Sequence, residues 1–546
     1  MANAAIPAVP SAPGKPFSHR SLRLHSFEWC VLAAVMLGWA IMVVCRGKDE
    51  SWDFRNYHWY VPYAFLNGRL GFDVAVAHQA TYYNPFLDTP FYLLATHLKA
   101  WLALAILGAV QGANVVPIYF LCRSMLIAEP RRLLAGILAL LSMTGSLAFY
   151  LAGSTYYDNV MSVFVLSGLA LVLCHRETLQ QGSVAKGTCL AASGAFLIGC
   201  AVGLKLPEAP FALGYMGVLL VLPGDWRRRS SRFVGGGIGG MLGFALFAAY
   251  WMVAMARLTG NPLFPYFNEF FHSPLALAAS YRDVRFIPHG LTHQLLFPLL
   301  FSLDWRVADD LPFVDIRVGV AYVAMLAAFP LMLVRGRKRE AIFAPDAALA
   351  LFVFVAIAYV AWLKIFAIYR YILLLEMLAP LLIVSAIDFW PASKYTRMVA
   401  GGCVMLVVLA TTKGLVPGRA PVHDPYVQAT IPPIADPNHS MILMTGEEPL
   451  GYLAPSLPAQ IPIIRIDGWM IQPQDGSELT ARTKDRVKAF TGNLYLIASA
   501  EEMPRGRNAL TAYGLAIGAA KCRDIVANLG GPYRFCPVTR MQSATP

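Results

Sequence analysis

Residues 27–45 read FEWCVLAAVMLGWAIMVVC, a run in which Glu28 is the only charged side chain. A run of this length crosses a hydrocarbon layer of about 30 Å as a helix. Over the whole chain 57% of the residues are apolar and only 14% are charged, which is more apolar surface than a globular core can bury. The sequence therefore predicts an integral membrane protein.

Apolar runs of similar length recur along the chain. We predict eleven transmembrane helices, at 27–45, 101–122, 133–152, 160–174, 188–204, 209–223, 233–255, 317–334, 346–366, 368–388 and 398–411. A shorter apolar segment at 291–303 contains His293 and Pro298. We expect this segment to be interfacial or re-entrant instead of a twelfth crossing.

The basic residues predict the orientation, because Lys and Arg in short loops stay on the cytoplasmic side during insertion. A cytoplasmic N-terminus puts these basic clusters on one side: Lys15, Arg20 and Arg23; Arg123, Arg131 and Arg132; Arg227, Arg228, Arg229 and Arg232; Arg335, Arg337, Lys338 and Arg339; Lys394 and Arg397. The net charge of +12 thus reflects topology, and no nucleic-acid motif accompanies it. We expect a multi-pass protein of a bacterial inner membrane, with residues 1–26 as a disordered cytoplasmic tail.

The predicted transmembrane domain covers residues 27–411 and carries extracytoplasmic loops at 46–100 and 256–316. A Pro-rich segment at 412–438 predicts a linker, and residues 439–546 predict a small periplasmic α/β domain. The predicted strands of that domain are 440–446, 461–468, 493–499 and 533–540, and its predicted helices are 477–490 and 505–526.

Cysteine usage fits this arrangement. Seven of the nine cysteines lie in or beside predicted spans, where Cys behaves as a small apolar residue. Cys522 and Cys536 are the pair in the predicted outer domain, in a compartment where a disulfide persists. We expect them to form a disulfide, with two buried free thiols as the alternative. No Cys/His spacing suits zinc.

The stretch SWDFRNYHWYVPYAFLNGRL, residues 51–70, opens the first predicted outer loop. Its aromatic residues suit either an interfacial helix or a carbohydrate platform, since rings offer flat apolar faces to both. Asp53 stands between Trp52 and Phe54 beside a membrane span, where an unpaired carboxylate is costly. We therefore interpret Asp53 as a functional residue.

Further charged residues lie at the same predicted outer side: Asp158, Lys205, Glu208 and Arg370. A structural ion pair such as Lys205 with Glu208 is one interpretation of them. Together, however, carboxylates and cations at one face of a helical bundle would supply a base for a hydroxyl and positive charge for a phosphate.

The order of five motifs resembles the GT-C superfamily of polyprenyl-phosphate-sugar glycosyltransferases, which includes protein mannosyltransferases and the aminoarabinose transferases of lipid A. The motifs are DFRNYHWYVPYAFLNGRL, NPFLDTPFYLL, YYDNVMSVFVL, GLKLPEAP and YRYILLLEMLAPLL. The resemblance covers roughly residues 27–411. It implies a transfer of sugar from a polyprenyl-phosphate carrier to an acceptor hydroxyl, with inversion.

By this resemblance, Asp53 is the catalytic base and Asp158 the second catalytic acidic residue. Lys205 and Arg370 match the cations that hold the donor phosphate in some members. Many relatives carry two adjacent acids at the first site, whereas Phe54 follows Asp53 here. The pair at 49–50, Asp-Glu, remains an alternative for the base.

Candidate substrate contacts are Tyr57, His58, Asn84, Glu208 and Asn268. The expected partners are a polyprenyl-phosphate sugar donor, a glycan, lipid or protein acceptor, and membrane lipid, without nucleic acid. No cofactor is certain: some relatives use a divalent metal, but no metal ligand is assigned here. The C-terminal domain is a candidate for holding the acceptor or a partner.

Two other classes of function fit the composition. A transporter or flippase of a lipid-linked or anionic substrate would have as many spans, but should show internally repeated halves, and no such repeat is visible in the sequence. A non-catalytic protein of envelope assembly is the other alternative.

Overall fold

The chain is mainly helical up to residue 411, and the computed structural model describes residues 24–334 and 340–541. The predicted tail before residue 24 and the basic residues 335–339 lie outside the described residues. The helices of this part are α1 (Ser26–Arg46), α2 (Tyr60–Leu66), α3 (Thr89–His97), α4 (Ala100–Gly112), α5 (Val115–Met125), α6 (Arg131–Ser142), α7 (Ser146–Tyr150), α8 (Asp158–Cys174), α9 (Arg176–Gln181), α10 (Val184–Leu204), α11 (Ala209–Val221), α12 (Trp226–Thr259), α13 (Asn268–Phe271), α14 (Leu291–Leu303), α15 (Arg317–Val334), α16 (Pro345–Ile365), α17 (Leu373–Ile387) and α18 (Lys394–Thr411).

Seven helical segments of the described chain are long and apolar enough to cross a membrane. They are Ser26–Arg46, Ala100–Met125, Val184–Leu204, Trp226–Thr259, Pro345–Ile365, Tyr369–Ile387 and Lys394–Thr411. Shorter apolar helices are Asp158–Cys174, Leu206–Val221, Leu291–Leu303 and Arg317–Met332. Every predicted span coincides with one or two helices, while the number of crossings stays a prediction. The segment 291–303 is helical, with Pro298 inside it.

Helices α10 and α12 pack with their backbones unusually close, because glycines line the contact. A Cβ atom on Gly199 would lie 2.1 Å from the carbonyl oxygen of Gly240, and one on Gly243 would lie 2.1 Å from that of Phe196. Small residues allow this approach in membrane helix pairs. The pair forms one wall of the cavity described below.

The C-terminal domain contains a mixed sheet with the order β1-β6-β7-β4-β2-β3, and β5 also pairs with β7. Its strands are β1 (Ala429–Thr430), β2 (Ser440–Met444), β3 (Ile463–Arg465), β4 (Asn493–Ser499), β5 (Leu515–Ile517), β6 (Arg523–Ala527) and β7 (Tyr533–Arg540), and its helices are α19 (Glu478–Ala489) and α20 (Met503–Ala512). Strand β2 is parallel to β3 and β4, and it is buried along its whole length, as parallel strands usually are.

The predicted helix 505–526 is wrong in its second half. Helix α20 ends at Ala512, Gly514 follows with a φ of +68°, and the chain continues as β5 and β6. Both strands pair with β7, so pairing with the last strand of the domain overrides the local helical pattern. The structure joins Cys522, just before β6, to Cys536 on β7 by a disulfide.

The segment 412–438, which the sequence predicts as a linker, is packed against the helical part. Tyr426 is buried, and Asp424 Oδ1 accepts a hydrogen bond from the backbone N–H of Ala100 at 2.7 Å. The first loop also joins the sheet domain: Val74 donates its N–H to Ile463 and accepts one from Arg465. The C-terminal domain is therefore docked on the loop that carries Asp53.

Candidate functional site

Asp53 lies at the start of a single turn of π-helix, Phe54–His58, beyond the end of α1. Such wide turns are rare and often occur at functional sites. The turn brings Tyr57 back to Asp53, and its hydroxyl donates to Asp53 Oδ2 at 3.2 Å. Arg370 Nη1 lies 3.5 Å from the same oxygen. Asp53 Oδ1 makes no hydrogen bond to the described residues.

Arg370 belongs to a short 3-10 turn, Tyr369–Ile372, that precedes α17. Its guanidinium carbon lies 4.7 Å from the ring centroid of Tyr156 and 5.3 Å from that of Tyr371, which are cation–π distances. Its backbone N–H donates to Asp309 Oδ2 at 2.7 Å. Two rings and two carboxylates thus hold this arginine in one place.

Lys205 directly follows α10. Its Nζ forms an ion pair with Asp158 Oδ1 and donates to the backbone oxygen of Tyr156 at 2.9 Å. The same Nζ lies 5.4 Å from the ring centroid of Tyr371. Because Tyr156 and Tyr371 contact both Lys205 and Arg370, the two cations belong to one cluster.

A cavity of about 180 Å³ opens beside this cluster. Its polar lining includes Tyr57, His58, Asn84, Asp88, Lys205 and Arg370, together with five further tyrosines. Its apolar wall includes Leu204 at the end of α10, Leu206 just after that helix, and Phe244, Trp251, Met252 and Met255 of α12. The cavity therefore joins two cations to an apolar surface, as an amphiphilic anion requires.

Burial shifts the pKa values of several groups around the cavity. Burial raises the pKa of Asp309 to about 6, against the opposing effect of Arg370. Burial also raises the pKa of Asp88, opposed by His58, whose Nδ1 lies 2.6 Å from Asp88 Oδ1. Burial and the Asp53 charge raise the pKa of Tyr57 well above its usual value, so this hydroxyl remains a donor.

The structure brings the four charged residues of the sequence hypothesis together. Lys205 and Arg370 line the cavity, whereas Asp53 lies behind the lining residues Tyr57 and Arg370 and contacts both. Asp158 is buried, and one of its oxygens faces Lys205, so it positions that lysine.

Of the five candidate substrate contacts, three line the cavity and two do not. Tyr57 and His58 line the cavity. Asn84 also lines it, but its Nδ2 donates to the backbone oxygens of Gly203 and Phe247, so the side chain ties the first loop to α10 and α12. Glu208 is buried and is not among the described residues that line the cavity.

Asn268 has an internal role instead of the predicted substrate contact. Its side chain is fully buried, and its Nδ2 donates to the backbone oxygens of Ser273, Ala276 and Leu277. Its Oδ1 accepts from the N–H of Ser273 at 2.8 Å. These bonds all remain within the 256–316 loop, so this amide shapes the loop.

The alternative base at Asp49 is also held internally. Its Oδ2 accepts from both the N–H and the hydroxyl of Thr155, at 2.8 and 2.9 Å, and Arg419 lies 3.6 Å from its Oδ1. The side chain is buried. This geometry favours Asp53 as the carboxylate that a substrate can reach.

Sequence reasoning missed Asp309 and the two tyrosines around Arg370. Asp309 lies in the segment between α14 and α15, which carries no motif, and its only signal was a pair of acidic residues, Asp309 and Asp310. Among residues 24–334 and 340–541, no group of three or more His, Cys, Asp or Glu side chains is arranged to hold a metal ion.

No protein family model matches the chain, and no curated protein matches it. The chain is similar to two solved structures over most of its length. The first is ArnT from Cupriavidus metallidurans bound to undecaprenyl phosphate, with 15% identity over 94% of this chain and 98% of that one and a TM-score of 0.43. The second is the apo oligosaccharyltransferase of Archaeoglobus fulgidus, with 12% identity over 90% of this chain and 71% of that one and a TM-score of 0.38.

Proposed function

We propose that the protein is a membrane glycosyltransferase that moves a sugar from a polyprenyl-phosphate carrier to an acceptor hydroxyl on the extracytoplasmic side. One observation carries the proposal: Lys205 and Arg370, distant in sequence, line one cavity, and a carboxylate, Asp53, contacts Arg370. A cavity with cations, a reachable carboxylate and an apolar wall suits a lipid-linked sugar phosphate.

The donor is held by its charge and by its tail. Lys205 and Arg370 would bind the phosphate, and the wall formed by α10 and α12 would accept the first prenyl units. Because both cations are fixed by tyrosine rings and by Asp158, they need little reorganisation as charge grows on the leaving phosphate. Preplaced charge of this kind is a large contribution to catalysis.

The chemical step is a single displacement. Asp53 accepts the proton of the acceptor hydroxyl as its oxygen attacks the anomeric carbon, and the bond from that carbon to the phosphate oxygen breaks. The leaving group is the polyprenyl phosphate, and the configuration inverts. Tyr57 and Arg370 occupy Oδ2, which leaves Oδ1 of Asp53 to take the proton.

The contacts support eleven crossings with the site on the side opposite the basic clusters. Tyr83 hydrogen-bonds Tyr266, and the N–H of Tyr369 donates to Ala308, so residues before and after α14 meet the same end of the bundle. This arrangement favours α14 as a segment that does not cross. By the positive-inside rule, the site and the C-terminal domain face the periplasm of a bacterial inner membrane.

The test combines binding with complementation. Full-length protein in detergent is titrated with undecaprenyl phosphate, and envelope glycans and lipids are compared between cells with and without the gene. We expect Asp53→Asn to bind within about twofold of wild type but to leave the glycan defect uncorrected. Lys205→Ala should weaken binding about tenfold or more, whereas Lys364→Ala, an outer lysine that contacts Gln294, should not.

Full correction by Asp53→Asn would show that Asp53 is not the base and would favour the non-catalytic alternative. Unchanged binding by Lys205→Ala would remove the phosphate role. Movement of a labelled lipid-linked substrate across proteoliposomes, without any transferred sugar, would favour a transporter.

A further inference from the structure

An aromatic cluster includes Trp52, the residue directly before Asp53, and lies outside the set of residues that line the cavity. Trp52 of the first loop and Trp469 of the C-terminal domain stack with their ring centroids 4.7 Å apart and their planes at 19°. The ring of His78 is nearly parallel to both, at 6.0 Å from Trp52 and 5.4 Å from Trp469. We call Trp52 and Trp469, supported by His78, the aromatic platform.

Trp469 is fixed although it is 47% exposed. Its backbone N–H donates to His78 Nδ1 at 3.2 Å, and its ring stacks on that of Trp52. Gly468 permits this close turn, since a Cβ there would lie 2.6 Å from the His78 ring. An exposed large ring that is held in one position is preorganised for a ligand, because binding costs it little further ordering.

The rim of the platform is polar and carries more acid than base. Arg505 binds Asp467 at 2.5 Å and Glu447 at 2.7 Å, and Glu448 lies 4.0 Å from Arg55. A surface that binds anionic lipid headgroups would carry clustered cations, so three carboxylates disfavour that partner. Carboxylates and guanidiniums around an exposed ring instead suit a ligand with many hydroxyls and an apolar C–H face.

Asp53 connects the platform with the cavity. Trp52 directly precedes Asp53, while Tyr57 and Arg370, which contact its carboxylate, line the cavity. We propose that the aromatic platform binds the acceptor, and that the acceptor is a saccharide. This inference rests on the proposed function, because it assigns the second substrate of the same site.

In this arrangement a sugar ring of the acceptor stacks on Trp469 and presents a hydroxyl to Asp53. The hydroxyl loses its proton to Asp53 while its oxygen bonds to the anomeric carbon of the donor sugar in the cavity. The bond from that carbon to the polyprenyl phosphate oxygen breaks, and the phosphate keeps the electron pair. The product is a glycosidic bond between two sugars.

The experiment measures saccharide binding apart from donor binding. Full-length protein in detergent is titrated with soluble di- and trisaccharides of hexoses, N-acetylhexosamines and hexuronates, and bound sugar is detected by saturation-transfer NMR. We expect saturable binding of at least one class. Trp469→Ala should weaken it about tenfold, and Trp469→Phe should restore part of it. Trp226→Ala removes another exposed indole, at the start of α12, and should leave saccharide binding unchanged.

Undecaprenyl phosphate binding of the same variants separates the two proposals. Trp469→Ala should bind it as wild type does. If no saccharide class binds, or if Trp469→Ala binds saccharide as wild type does, the platform proposal is overturned while the donor site stands. If wild type binds saccharide but not undecaprenyl phosphate, the platform remains a saccharide site and the proposed transferase function fails.

Discussion

At the scale of single residues, Arg370 depends on groups from three parts of the chain. Tyr156 covers one face of its guanidinium, Asp53 lies at its Nη1, and Asp309 accepts its backbone N–H. Asp309 is buried, and this burial raises the pKa of its carboxyl to about 6. The protonation state of Asp309 therefore influences how the arginine is held.

We expect Asp309→Asn to remove a pH-dependent part of the stability. Because the pKa of Asp309 is raised in the folded protein, its stabilising effect is complete below its unfolded pKa, roughly 4, and is lost as pH rises through about 6. The melting temperature of wild type minus that of the variant should therefore fall over this window and stay level above it.

Thermal unfolding in detergent from about pH 4 to pH 8 checks this prediction. Asp310→Asn, which removes an exposed neighbouring carboxylate, is the control. A difference between wild type and Asp309→Asn that stays constant over the whole range would show that Asp309 does not titrate as described.

Residue chemistry explains which parts of the site could be predicted from the sequence. Asp53, Lys205 and Arg370 stood out because charge at the end of an apolar span is costly unless it is used or paired. Asp309 did not stand out, since its importance comes from one hydrogen bond to Arg370 across the fold. The internal role of Asn268 was not predicted, because its amide bonds to backbone groups of its own loop and only the folded structure brings these groups to it.

At the scale of elements, the contact of α10 with α12 sets the wall of the cavity. We expect Gly243→Val to lower stability and to weaken undecaprenyl phosphate binding, since the new side chain would meet the backbone of Phe196 and push α12 away from Lys205. Overpacking of this kind costs about 1–3 kcal/mol or more. Gly237→Val, on the same helix with open space around it, should be tolerated.

Melting temperature and binding affinity of the two purified variants check this prediction. Equal behaviour of Gly243→Val and Gly237→Val would mean that the close helix contact does not shape the cavity.

Helices and strands also differ in how well the sequence pattern predicted them. The apolar runs predicted helices well, because each helix satisfies its own backbone and carries its signal locally. The prediction for the segment after Ala512 was wrong, because β5 and β6 are stabilised by pairing with β7. The end of β6 also pairs with β1. The preference of a segment for a strand depends on the strands beside it in the sheet, so the pattern of that segment alone does not reveal it.

At the scale of the whole molecule, the order of the parts was predictable but their docking was not. The sequence separates a helical part from a C-terminal sheet domain, and the structure then joins them through the first loop. Arg69 is the centre of this junction: it binds Asp73 through two nitrogens, at 2.6 and 2.7 Å, and donates to the backbone oxygens of Ala459 and Ile461. No local pattern in the sequence pairs Arg69 with Ala459, which lies 390 positions away.

Docking matters for function because Trp469 reaches Trp52 only when the sheet domain is seated on the loop. We expect Arg69→Met to loosen the domain, since it leaves the buried carboxylate of Asp73 without its partner, at a cost of about 3–5 kcal/mol. Arg285→Met removes a guanidinium that also contacts two carboxylates, but on the exposed surface, where about 0–1 kcal/mol is at stake.

Limited proteolysis of the purified protein distinguishes these two variants. Arg69→Met should be cut faster within 412–438, because those residues lose their packing once the domain is free, and its saccharide binding should fall together with that of Trp469→Ala. Arg285→Met should be cut at the wild-type rate. Unchanged cleavage and unchanged saccharide binding in Arg69→Met would show that the domain holds its place without this buried pair, and that the platform does not depend on it.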